Sequence, residues 1–184
     1  MRSWKLMLLV LSLVLATGLA SGGRDAGAQE ISQPITRPCK HPCPNRIRFA
    51  SAPRLDSLEL HARINPLTSI DPAFETFFVE LSDGNGNVFF AVSVSPGDMR
   101  DTNGGRRVFY RDRGARTGGG VYQVTIAQRH DAAGGYRVDV RAYGDLSGAT
   151  APDITTTITI GDDVFANTST WNQQQDGWAV DFTP

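Results

Sequence analysis

Lysine, cysteine and histidine are scarce in this chain, and each scarcity removes some chemistry. The only cysteines are Cys39 and Cys43, within "PCKHPC", which lacks the usual two-pair zinc spacing and is not the C-x-x-C-H of a haem attachment site. The only histidines are His41 in the leader, His61 on a polar strand face and His130 in a turn. No G-x-S-x-G, H-E-x-x-H or phosphate-binding Gly-rich signature occurs, so no catalytic residue is assigned. Sixteen of the eighteen basic residues are Arg, which reads first as a composition bias of the genome. No ten-residue segment holds a 3.6-residue apolar period, which excludes a helical domain. Only one apolar run exists, Leu6 to Leu15, so nothing else spans a membrane as a helix.

That run lies in "MRSWKLMLLVLSLVLATGLASGG". Arg2 and Lys5 supply a positive n-region and small residues follow, the layout of a signal peptide over residues 1–28. Cleavage after Ala20 or after Ala28 fits the small-x-small rule equally. The chain is thus expected to be periplasmic or extracellular. Beyond residue 28 there are fifteen basic and eighteen acidic residues, a balance that points away from nucleic acid and from an anionic membrane surface.

Residues 29–46 hold four prolines and read as a Pro-rich leader. Outside the cell, Cys39 and Cys43 read as a disulfide closing a small loop, with free thiols, intermolecular bridges or a Cys39/His41/Cys43 metal site as alternatives. From residue 47 to 184 the apolar period is two, the signature of strands. In "LDSLELHARI", Leu58, Leu60, Ala62 and Ile64 share one face; Ser57, Glu59, His61 and Arg63 share the other. "FETFFVELSD" groups Phe77, Val79 and Leu81, and "NVFFAVSVS" groups Val88, Phe90, Val92 and Val94. "GVYQVTIAQ" groups Tyr122, Val124 and Ile126, and "GYRVDVRAYG" sets Val138 and Val140 opposite Arg137, Asp139 and Arg141. "DITTTITIGDD" and "GWAVDF" complete the set, with "RVFYRD" and "DVFANTSTW" as weaker strands and "INPLTSIDPAFE" as room for one helical turn. Gly- and Asp-rich turns separate nearly all of these. The expected fold is a single antiparallel β-sandwich, immunoglobulin-like, of about eight to ten strands. A membrane barrel fits less well, because the outward positions carry Glu, Arg and Asp.

"LDSLELHARI", "FVELSDGNGNVFFAV", "GGYRVDVRAYGDLSG" and "ITTTITIGDDVF" with a downstream Trp resemble a class of uncharacterised bacterial secreted β-sandwich domains. The resemblance would cover about residues 47 to 182, implies a sandwich and carries no assigned activity.

Four motifs compete as sites. "DGNGN" offers Asp83, Asn85 and Asn87 at alternate positions, as a calcium loop begins, but Val88 and Val94 fall where a Gly and a bidentate Glu belong. A hairpin turn using Gly84 and Gly86 explains the stretch better, and no metal is expected. Arg106, Arg107, Arg111, Arg113 and Arg116 could hold a carboxylate, sulfate or phosphate group, or simply guard an edge strand. Trp171 and Trp178 could form a carbohydrate platform, or belong to the core. "NTS" at Asn167 fits the N-glycosylation rule. The reading that follows is an exported non-catalytic domain with no cofactor that binds a protein or glycan partner. A structural envelope protein and a hydrolase using a carboxylate pair are the alternatives.

Overall fold

Alternation in "DSLELHARI" becomes β3 (Asp56–Ile64), whose Leu58, Leu60, Ala62 and Ile64 are buried. Successive strand side chains point to opposite faces, so one face is covered and the other stays wet. The computed structural model describes residues 29–30, 44–51, 55–130 and 134–180. The predicted signal segment, the Cys39–Cys43 pair with His41, and Phe182 lie outside them.

Before β3 come β1 (Gln29–Glu30) and β2 (Asn45–Arg48). After it come β4 (Phe77–Asp83), β5 (Val88–Val94), β6 (Arg100–Asp101) and β7 (Arg107–Arg111). A single helical turn, α1 (Ala115–Gly118), leads to β8 (Gly120–Gln128) and β9 (Tyr136–Gly144). The chain continues through β10 (Asp153–Ile160), β11 (Asp163–Thr170), β12 (Asn172–Gln174) and β13 (Gly177–Val180). A five-stranded sheet has the order β1-β11-β10-β4-β5, and an eight-stranded sheet the order β12-β13-β2-β3-β9-β8-β7-β6. Their inner faces pack on each other. Phe77, Val79, Leu81, Ile158 and Phe165 of the first meet Leu58, Leu60, Val124, Ile126, Val138 and Val140 of the second in one core.

The expected β-sandwich is therefore the fold. It has thirteen strands among the described residues, more than the eight to ten expected, because short edge segments such as β1, β6 and β12 join the sheets. β1 lies parallel to β11, pairing Gln29 with Phe165, so part of the stretch read as leader belongs to the five-stranded sheet. The segment from "INPLTSIDPAFE" does make one turn, with Phe74 and Glu75 N–H donating to the Asp71 carbonyl at 3.0 and 3.1 Å.

Two inward assignments fail, each at a β-bulge. Register slips between Leu81 and Ser82, so Ser82 faces Val88 while Leu81 faces Phe90. Val88 is consequently 51% exposed instead of buried. Register also slips between Val121 and Gln123: Val121 pairs with Ala142 and Gln123 with Arg141. Tyr122 is the extra residue; at 3% exposed it is buried, but apart from the main core cluster, on the outer face with Arg111 and Arg116 against its ring. One additional residue reverses the alternation downstream of it, which a period-two pattern cannot show.

The "DGNGN" loop is the β4–β5 turn. Asp83 Oδ1 accepts the N–H of Asn85 at 2.9 Å and of Asn87 at 2.8 Å, while Oδ2 accepts Asn87 Nδ2 at 2.9 Å. The carboxylate is thereby spent on the turn itself. The left-handed residue is Gly86, φ 83°, and not Gly84. Gly177 has φ 150°, and a Cβ there would collide with the Ile47 carbonyl across the β13–β2 pairing. Asp56, buried at the start of β3, ties two loops together: its Oδ1 accepts Ala50 N–H at 2.7 Å and its Oδ2 accepts Leu146 N–H at 3.1 Å.

Candidate functional site on the eight-stranded sheet

The antiparallel register of β3 and β9 sets Glu59 opposite Arg141, His61 opposite Asp139 and Arg63 opposite Arg137, all on the outer face. Glu59 Oε1 accepts Arg141 Nη2 at 2.7 Å and Nε at 3.1 Å. This bond is the main reason the Arg141 pKa is raised. His61 Nδ1 meets Asp139 Oδ1 at 2.8 Å, and Arg137 Nε donates to Asp139 Oδ2 at 2.9 Å. His61 Nε2 lies 3.8 Å from Glu59 Oε1. The result is a continuous charge ladder, Arg137–Asp139–His61–Glu59–Arg141.

Beside the ladder, the β8 bulge delivers Tyr122. Its hydroxyl accepts Arg111 Nη2 at 2.6 Å, and the Arg111 guanidinium carbon is 5.3 Å from the ring centroid. The Arg116 guanidinium carbon, from α1, is 4.5 Å from the same centroid. Tyr143 of β9 meets the ring edge-on, with centroids 5.8 Å apart and planes at 87°. Such contacts hold guanidiniums over the electron-rich face of an aromatic ring. The Arg111 hydrogen bond, first among several causes, lowers the Tyr122 hydroxyl pKa, with Arg116 and Arg113 adding to it. Among the described residues Arg111, Arg113 and Arg116 meet no carboxylate within ion-pair distance, unlike Arg137 and Arg141.

Of the five arginines read as a binding patch or an edge-strand guard, the structure gathers Arg111 and Arg116 on Tyr122 with Arg113 nearby. Arg106 and Arg107 sit at the far end of β7, about 13 Å along the strand. Neither tryptophan forms a platform: Trp171 is 2% and Trp178 7% exposed, and both belong to the core. The Trp178 indole N–H donates to the Ala149 carbonyl at 2.7 Å, as a buried indole must find an acceptor. Trp171 is held by its backbone N–H, which donates to the Pro152 carbonyl at 2.7 Å. The Asn167 amide lies inside β11, half-buried, donating to Ser169 Oγ at 2.7 Å.

Three further acidic residues serve turns. Asp101 accepts Asn103 N–H at 2.9 Å and Gly105 N–H at 2.6 Å. Asp112 accepts Gly114 N–H at 2.7 Å. Asp145 accepts both the N–H and the hydroxyl of Ser147, at 3.0 and 2.6 Å, and these bonds lower its pKa. No cluster of three His, Cys, Asp or Glu side chains able to hold a metal occurs among the described residues. No described helix is long and apolar enough to cross a membrane.

Motif reading passed over the ladder and the Tyr122 cluster. The signal for the ladder was present: the polar half of β3 runs Glu, His, Arg, and that of β9 runs Arg, Asp, Arg, complementary once the strands lie antiparallel. No family model, curated protein or solved structure matches the chain.

Proposed function

We propose that this is an exported, non-catalytic β-sandwich domain that binds a protein or glycan partner through the outer face of its eight-stranded sheet. The observation that carries the proposal is the Tyr122 cluster. Two guanidiniums share one ring there with no carboxylate beside them, a charge left for something outside the fold to meet. The carboxylates support a non-catalytic reading. Glu59 is clamped by Arg141 and Asp139 by Arg137 and His61, so both carboxylates are engaged by neighbouring side chains of the sheet.

An array of glycans and exported proteins probed with three forms of the chain tests this. The wild type should bind a defined subset. The charge-swapped face variant Glu59→Arg/Arg141→Glu should lose that binding at least tenfold. Thr157→Arg, on the outer face of the other sheet, should keep it. Binding that survives the swap and disappears with Thr157→Arg would move the site to the other sheet. Failure of the wild type to bind anything would favour a structural role.

A further inference from the structure

We infer that β7 is a track for a linear acidic polysaccharide, with Arg107 and Arg111 taking its carboxylate or sulfate groups and Phe109 lying against the sugar between them. The inference rests on the binding reading above and gives it a ligand class.

Arg107, Phe109 and Arg111 alternate with the buried Val108 and the core-packed Tyr110, so the three share the outer face. Their opposite numbers on β8 are Ala127, Thr125 and Gln123, none of them charged. At about 3.3 Å per residue the backbone positions of the two arginines lie about 13 Å apart, with half-buried Phe109 midway between them. That is cation, flat apolar surface, cation in a row. An aromatic ring covers the C–H face of a sugar, and an arginine fork matches a carboxylate or sulfate.

Among the described residues no carboxylate pairs directly with Arg107 or Arg111. Asp101 and Asp112, the acids nearest β7 in sequence, give their carboxylates to the turn amides of Asn103, Gly105 and Gly114. Arg111 is also pre-positioned. Tyr122 accepts one of its five N–H donors and Tyr143 props the ring, so little side-chain freedom remains to be lost on binding. Arg116, over the same ring, adds a second cation at that end.

An extended acidic peptide would carry similar charges, and one mode of peptide binding is addition to a sheet edge through the backbone. That route is obstructed here. β6 pairs with β7 at Arg100–Phe109 and Asp101–Val108, and the Arg107 carbonyl accepts Thr102 N–H at 2.9 Å. What the edge offers is side chains, which suits a saccharide.

Isothermal titration of the full exported chain would use four probes: polygalacturonate oligomers, dextran sulfate oligomers, neutral dextran and poly-glutamate. Polygalacturonate, dextran sulfate or both should bind, and the one that binds identifies the anionic group. Affinity should fall as salt rises. Neutral dextran should not bind. Arg107→Gln and Arg111→Gln should each weaken binding about tenfold, in line with a lost charge-assisted hydrogen bond, and Phe109→Ala by a similar factor. Arg107 is exposed, so Arg107→Gln keeps the melting temperature and remains interpretable even if another variant unfolds. Indifference of the wild type to both acidic saccharides would overturn the inference. So would unchanged affinity in Arg107→Gln, or poly-glutamate binding as tightly as the saccharides. Any of these, with array binding still lost in the Glu59/Arg141 swap, would leave the broader binding reading standing.

Discussion

On the outer face of the five-stranded sheet, β10 shows Thr155, Thr157 and Thr159; on that of the eight-stranded sheet, β9 shows Arg137, Asp139 and Arg141. β4 and β5 continue the first surface with Phe78, Glu80, Ala91 and Ser93, leaving Glu80 as the charge in its middle. Threonine suits a pleated surface by its branched shape alone, and its hydroxyls pair across strands, as Thr155 and Thr168 do at 2.7 Å. Arginines and glutamates lose more rotamer freedom when held in place, and an exposed ion pair returns only about 0.2–1 kcal/mol. Strand formation accounts for the threonine face. It does not account for the ladder or for the arginines around Tyr122, and that difference is the physical support for placing recognition on one sheet.

Inward, the two sheets should not differ, and this gives the largest effect. Phe77→Ala in the five-stranded sheet and Leu60→Ala in the eight-stranded sheet should each cost about 2–5 kcal/mol in chemical denaturation, from lost burial plus the cavity left behind. A cost below 1 kcal/mol on either side would mean that sheet is not packed as described.

Outward, Glu59→Gln removes the partner of Arg141 and should cost about 0.2–1 kcal/mol, while Thr157→Val should stay within about 0.5 kcal/mol of wild type. If Glu59→Gln cost 2 kcal/mol or more, the ladder would be a structural element and the contrast between the faces would lose its functional meaning.

The smallest effect lies in the β4–β5 turn. The Asn87 side-chain amide, with backbone N–H groups, holds the Asp83 carboxyl below its ordinary 3.8. Since the folded value is the lower one, the stabilisation is complete above the unfolded value and fades as pH falls through the folded one. The difference in melting temperature between wild type and Asp83→Ala should therefore be flat from pH 7 to pH 5 and shrink below about pH 4. A difference that widens on acidification would reject this account of the turn.

Strand existence and the in/out sorting of residues such as Leu58, Leu60, Val138 and Ile158 were legible, because period-two burial is written in the residues themselves. Val88 and Tyr122 were misread because a bulge depends on the partner strand, which the local pattern does not contain. Gly84 and Gly86 looked equivalent, and only the path of the turn decides which one takes the left-handed conformation. The arginine run looked like one patch, yet an extended strand carries its two ends apart. Trp171 and Trp178 looked like a pair in sequence, whereas each is placed by a separate contact, with Pro152 and Ala149. The ladder needed the β3–β9 register, a pairing between residues about eighty positions apart in the chain.

That long-range pairing also constrains how the chain can fold over time. β3 waits for β9, and β4 waits for β10, whose Ile160 pairs back to Phe77. Neither sheet can close until most of the polypeptide exists, and a fold dominated by such distant contacts forms slowly, on the millisecond-to-second scale typical of sandwiches.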